Sequence, residues 1–263
     1  MLNSEWVAGQ GTPMAMLHGW GLNRRVWADV SAELVPVCRP LLVDLPGHGH
    51  SKFMADACTL QHWASAASAT VPAQSIWLGW SLGGMVALAA AAAQPEHVRG
   101  LILVATNARF AQGQDWPTAV ETTVLEGFAA SLEQDYQATL ARFLALQARG
   151  DERARETVRV LRQQLAEGGM PQPAALCAGL SILREADLVS VLPQVRCPVL
   201  LIGGEYDNLV PIAALEKMAK ALSKADLCII KGASHAPFIS HRDEFVSAVA
   251  RFVAGTDVKE AAL

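Results

Sequence analysis

Charge is scarce in this chain. Only 17% of its 263 residues are charged, 52% are hydrophobic, and the formal net charge is −4. That balance excludes a disordered protein and supplies apolar material for a large core. It gives no global sign of a nucleic-acid partner. Cysteine is also sparse. Cys38, Cys58, Cys177, Cys197 and Cys228 are odd in number, scattered and without C-x-x-C spacing. A disulfide framework or zinc site is therefore not expected, and most of the five should be small buried apolar residues. The residues Met1 to Trp6 lack a basic segment followed by an apolar run, so no signal peptide is read there. The longest apolar stretch, Met85 to Ala93, is too short to span a bilayer and ends at Gln94-Pro95. The expectation is a soluble cytoplasmic protein in a reducing compartment, monomeric by default, without membrane contact.

The length allows one large α/β domain or two small ones. Short apolar runs read as buried parallel strands at Met14–Leu17, Leu41–Val43, Ile76–Leu78, Leu101–Val104, Val199–Ile202 and Leu227–Ile230. Helical patterns lie between them at Arg25–Leu34, Leu60–Thr70, Gly84–Ala93, Ile212–Leu222 and Arg242–Val253. Such alternation predicts an α/β fold with a mostly parallel central sheet flanked by helices. From Arg109 to Glu185 the rhythm breaks. Phe128–Leu132, Tyr136–Leu146 and Ala154–Leu165 read as amphipathic helices, and Gly168-Gly169-Met170-Pro171 with Pro173 interrupts the pattern. Residues 109–185 are expected to form a helical cap inserted into a core made of 1–108 and 186–263.

Chemistry concentrates at Gly79-Trp80-Ser81-Leu82-Gly83, a G-x-S-x-G placed between a strand and a helix. That position suits a nucleophile elbow, where the glycines relieve crowding at a tight turn. A serine hydroxyl needs a base, and the base needs an orienting carboxylate. Asp207 and His235 each follow a predicted strand, in the order serine, acid, histidine. Glu205 competes as the acid and His241 as the base, although Ser240-His241-Arg242-Asp243 reads as a helix start. Each residue alone has an ordinary reading as a turn, cap or packed side chain. The backbone N–H groups of Leu82, just after the serine, and of Trp20, in Leu17-His18-Gly19-Trp20-Gly21, are candidate oxyanion donors. His18 would brace its loop by hydrogen bonding. Asp44-Leu45-Pro46-Gly47-His48-Gly49-His50-Ser51 reads as a structural turn, since no Lys-Ser/Thr follows as in a phosphate loop.

These motifs, taken together, resemble the α/β-hydrolase superfamily over nearly the whole chain. Serine at the elbow sets the chain apart from dehalogenases and epoxide hydrolases of that fold, which use Asp there. Four stretches go further: His18 to Asn23, Trp77 to Gly84, Arg142 to Gln147 and His235 to His241 resemble the BioH-type pimeloyl-[acyl-carrier protein] methyl ester esterases of biotin synthesis. The resemblance implies ester hydrolysis without metal or organic cofactor. It also implies substrate contacts from Trp20, Ser81, Leu82, Phe143, Leu144, Ala145, Leu146, Gln147 and His235. Phe143 and Leu146 would line an apolar acyl channel, against the plainer reading of cap packing. It implies a carrier-protein contact at Arg142, Arg155 and Arg159; a further arginine of the family, one turn before Arg142, is Ala138 here.

The cap carries a physical hint of its own. Arg142, Arg149, Arg153, Arg155, Arg159 and Arg162 face only Asp151, Glu152 and Glu156 in the same span, which has no lysine. Arg149 and Arg153, and Arg155 and Arg159, are four apart and share a helix face. Such a face can seat an acidic partner bearing a phosphate, or it can be a solvated surface with internal ion pairs. Rival functions are a general short-chain carboxylesterase, a carbon–carbon bond hydrolase, and a non-catalytic ligand receptor on the same scaffold.

Overall fold

Seven strands form one sheet in the computed structural model, which describes residues 1–56 and 58–258. They are β1 (Ser4–Trp6), β2 (Pro13–Leu17), β3 (Arg39–Val43), β4 (Ser75–Trp80), β5 (Val98–Val104), β6 (Val199–Gly204) and β7 (Ala225–Ile230). Their order is β1-β3-β2-β4-β5-β6-β7, with β1 antiparallel to β3 and every other pair parallel. The sheet therefore runs outward in both directions from β2. Crevices at such reversals, beyond the carboxyl ends of the strands, are where α/β sheets hold ligands.

The helices are α1 (Ala28–Leu34), α2 (Leu60–Ser68), α3 (Leu82–Ala93), α4 (Thr122–Gln134), α5 (Tyr136–Gln147), α6 (Ala154–Gly168), α7 (Pro173–Glu185), α8 (Ile212–Ala221), α9 (Pro237–Ser240) and α10 (Arg242–Val258). Strand β4 is buried along its whole length, and α3 is almost entirely apolar and buried. An element hidden on all sides needs no polar face, which is why both read as continuous apolar runs. Trp27 and Trp80 pack on Phe238, with ring centroids 4.4 and 4.8 Å apart. No described helix is long and apolar enough to cross a membrane.

Helices α4 to α7 lie between β5 and β6. The two ends of this excursion meet, since Leu188 N–H donates to the Ala108 carbonyl at 2.9 Å. The final residues of the expected second core segment, 259–263, lie outside the described residues.

Four features depart from the sequence reading. Strand β1 is short, exposed and polar at two of three positions, so it leaves no apolar signature. Helix α7 begins at Pro173, read above as an interruption; proline is favoured at the first helical position, where its missing N–H has no partner to lose. Strand β7 starts two residues early and sits at the sheet edge, where Leu227 is 38% exposed rather than buried. Of the five cysteines only Cys38 is buried; Cys58 and Cys177 are exposed and the other two intermediate.

Two buried histidines fasten the loop after β2 to the turn after β3. His18 Nε2 accepts from Leu45 N–H at 2.9 Å, so its Nδ1 carries the proton and donates to the Gly19 carbonyl at 2.8 Å. His48 Nε2 accepts from Gly21 N–H at 3.3 Å, and its Nδ1–H donates to the Pro46 carbonyl at 2.9 Å. Both rings must stay neutral to accept. Burial lowers His18 to about 4, and burial with the neighbouring His18 lowers His48 to about 3, from an ordinary 6.5. The unfolded chain binds these protons near pH 6.5 while the folded chain refuses them. Stability is thus fully present above pH 6.5 and is lost as pH falls toward 4 and then 3. For His18 the linkage amounts to roughly 3 kcal/mol. Urea unfolding from pH 7.5 to 4 should show that decline, and His48→Gln should make it shallower; an identical slope in the variant would refute the assignment.

Candidate active site

The chain reverses at Ser81 in almost no space. Its backbone has φ 54° and ψ −118°, a left-handed conformation that costs free energy in a non-glycine residue. Neighbouring bonds impose it. Ser81 N–H donates to the Val104 carbonyl at 2.9 Å, and the Ser81 carbonyl accepts from Gly84 N–H at 2.9 Å and from the Thr106 hydroxyl at 3.2 Å. A Cβ at Gly79 would fall on the Gly83 backbone, and one at Gly83 on the Leu17 and His18 carbonyls. Both glycines of the motif are therefore required by packing, which brings α3 directly against the end of β2. The result places Ser81 beyond the end of β4, only 3% exposed.

The candidate acid and base follow β6 and β7. Asp207 Oδ1 accepts from Leu209 N–H at 2.8 Å and Val210 N–H at 3.0 Å, which orients the carboxylate. Its other oxygen, Oδ2, lies 2.8 Å from His235 Nδ1, with both side chains buried. With Nδ1–H committed to Asp207, Nε2 presents its lone pair. That Nε2 is buried and has no protein partner. The Ser81 hydroxyl is not hydrogen-bonded to it here, and such contacts commonly tighten only with substrate. The Trp80 indole donates to the His235 carbonyl at 2.7 Å, tying the histidine loop to the end of β4. The rivals serve elsewhere. Glu205 accepts from Gly232 N–H at 3.0 Å, and His241 pairs with the Ser240 hydroxyl at 2.8 Å.

Trp20 and Leu82 present backbone N–H groups that have no protein acceptor among the described residues. Leu82 is the first residue of α3, where such N–H groups are left free and the helix dipole favours negative charge. The Trp20 side chain is held by the cap: its indole donates to the Leu176 carbonyl at 2.8 Å. A Cβ at Gly179 of α7 would stand 2.8 Å from Trp20 and 3.1 Å from Leu82, so α7 lies on both residues.

The segment Phe143–Gln147 of α5 divides. Phe143 stands edge-on to Trp20 at 4.8 Å, and Phe128 of α4 packs on Phe143 at 5.9 Å. The Gln147 carbonyl accepts from His235 N–H at 3.1 Å, and its side-chain Nε2 is buried without a partner. Leu144 is buried, Leu146 half-buried and Ala145 exposed. Arg142 on α5 and Arg155 and Arg159 on α6 are all exposed, and none has an ion pair among the described residues. Ala138 is exposed at the start of α5. Three supports escaped the sequence reading: the Thr106 hydroxyl, the Leu176 carbonyl, and Asn23, whose amide donates to the Gly169 carbonyl at 3.1 Å and caps the end of α6. A Thr in a loop and a backbone carbonyl carry no local signature. Among the described residues no group of three or more His, Cys, Asp or Glu is placed to hold a metal ion.

Known proteins resemble this chain. A family model of the alpha/beta hydrolase fold matches residues 12–242. The pimeloyl-[acyl-carrier protein] methyl ester esterase of Xanthomonas oryzae pv. oryzae is 45% identical over 249 residues, covering 94% of this chain and 97% of the relative. The protein of the same name from Stenotrophomonas maltophilia is 43% identical, covering 95% of each. Among solved structures, an esterase from Exiguobacterium antarcticum superposes with a TM-score of 0.87 at 22% identity, over 96% of this chain and 95% of its own. The enol-lactonase from Burkholderia xenovorans LB400 does so at 0.84 and 22%, over 96% of each chain. At that identity the two structures speak for the fold, and the sequence relatives speak for the family. The chain belongs to the α/β-hydrolase family and, within it, to the group of pimeloyl-[acyl-carrier protein] methyl ester esterases.

Proposed function

We propose that this protein is a serine carboxylesterase that hydrolyses the methyl ester of pimeloyl-[acyl-carrier protein], giving free pimeloyl-[acyl-carrier protein] and methanol in biotin biosynthesis. The observation that carries the reading is the buried 2.8 Å contact between His235 Nδ1 and Asp207 Oδ2, with an Nε2 that has no protein partner, on a loop bonded to Trp80 next to Ser81. The names of relatives at 43–45% identity supply the substrate class.

In this mechanism His235 Nε2 takes the Ser81 proton as the serine oxygen attacks the ester carbonyl carbon. The Trp20 and Leu82 N–H groups receive the resulting oxyanion. Asp207 holds the imidazolium in orientation. His235 returns the proton to the departing methoxy oxygen, releasing methanol and leaving an acyl-serine. Water then attacks that ester with His235 as base, and Ser81 leaves reprotonated. Phe143 and Leu146 face the acyl chain. Freeing the far carboxylate stops the chain from accepting further elongation as an ester.

The partner reading rests on charge. Arg142, Arg155 and Arg159 are exposed and unpaired, so the cap face is not spent on internal ion pairs among the described residues. Unpaired guanidinium groups grip phosphate and carboxylate in bidentate fashion. An acidic carrier protein with its phosphopantetheine arm fits that face.

Ser81→Ala should lose about 10⁴-fold or more in kcat while the thermal midpoint stays put. Near-normal turnover in that variant would sink the assignment. Restoring growth without biotin in a strain lacking its pimeloyl ester esterase tests the substrate directly, because a general short-chain esterase would fail to do so. Arg155→Glu with Arg159→Glu should lower kcat/KM at least about 10-fold for the carrier-linked ester and spare small free esters. Equal losses on both substrates would count against carrier docking.

A further inference from the structure

One buried carboxylate has no part in the chemistry above. Asp151 lies in the turn between α5 and α6, is 7% exposed, and has no cationic partner among the described residues. Its Oδ1 accepts from Arg153 N–H at 2.7 Å, a local turn bond that an exposed Asn or Ser would make as well. Its Oδ2 accepts from Ser234 N–H at 3.2 Å, 83 residues away and one residue before His235. Burying a carboxylate carries a desolvation cost that a local turn does not require.

The rest of the turn is aimed at the same place. The Arg149 carbonyl accepts from the Ser234 hydroxyl at 3.0 Å and from the Asn208 amide at 3.4 Å. Gly150 has φ +92°, and a Cβ there would stand 3.1 Å from Tyr206, so only glycine lets the turn come this close. The Gln147 carbonyl, just before the turn, takes His235 N–H. One cap turn thus touches both the acid loop and the base loop.

We propose that Asp151 is a positioning residue for His235, fixing the Ser234 backbone and thereby the imidazole relative to Ser81. The proposal rests on the reading of Ser81, His235 and Asp207 as the hydrolytic triad. Removing the carboxylate leaves the buried Ser234 N–H without an acceptor, and the loop relaxes to find one. A displacement of about 1 Å at a reacting group is enough to cost on the order of 100-fold in rate.

The full-length protein with p-nitrophenyl acetate as probe tests this. Asp151→Ala should lower kcat by about 10–100-fold with KM changed less than about 3-fold. Asp151→Asn keeps one acceptor oxygen for Ser234 N–H and should recover a substantial part of the loss. A purely structural role predicts instead that kcat tracks thermal stability in both variants, or that KM rises, and either result overturns the proposal. Should Asp151→Ala fail to fold, Asp151→Leu, of similar size and without an acceptor, decides: a several-fold drop in kcat at unchanged KM supports positioning, and wild-type kcat overturns it. Fluorophosphonate labelling of the wild-type protein keeps the two readings apart. Without labelling of Ser81 the triad reading itself falls. With labelling and an Asp151→Ala variant at wild-type kcat, only the positioning proposal falls.

Discussion

The contact between α3 and the end of β2 sets the terms for everything at this site. Gly83 lies so close to the Leu17 and His18 carbonyls that a methyl group would collide with them. Closing that gap forces the chain through a left-handed residue at Ser81 and leaves the first N–H of α3 beside the loop that carries Trp20. The candidate nucleophile and both candidate oxyanion donors thus follow from one packing contact. Local backbone strain of this kind persists only where surrounding bonds over-determine it, and here the Val104, Gly84 and Thr106 contacts do so.

What the sequence made legible, and what it did not, follows from how each feature is encoded. Inner strands such as β4 and β5 are buried on both faces, so they appear as unbroken apolar runs. The proposed triad could be picked out because Ser81, Asp207 and His235 are side chains whose chemistry depends on their identity, each placed just after such a run. Edge elements were harder, since β1 has three exposed residues and two of the six residues of β7 are exposed. Helix α7 hid behind Pro173, which marks a helix start as readily as a break. The contacts that hold the site together were invisible for a different reason. The carbonyls of Leu176, Gln147 and Arg149 do their work through the backbone, which every residue type offers alike.

The cap is bound to the core unevenly. Helix α6 is fixed at its C-terminal end by Asn23 and near its N-terminal end by the Arg153 guanidinium, which donates to the Ser240 carbonyl at 2.8 Å. Helix α7 is joined through the Trp20 indole. Helix α4, by contrast, buries only Leu125 and Leu132 and meets the site through Phe128 on Phe143. Arg155 and Arg159 therefore stand on a helix anchored to the core at both ends, whereas α4 packs chiefly on its cap neighbours α5 and α7.

The meeting of Leu188 N–H with the Ala108 carbonyl gives the insertion the outward form of a cassette, entering and leaving the sheet at one point. Its inner contacts say otherwise. Trp20, Ser234 and His235 each donate a hydrogen bond to the inserted segment, so the excised core would lose supports of its candidate reaction centre. Any other cap on this core would have to be compatible with the histidine loop and the loop that carries Trp20. Replacing the cap would thus mean refitting both loops, because their N–H donors would lose the acceptors that the inserted segment supplies.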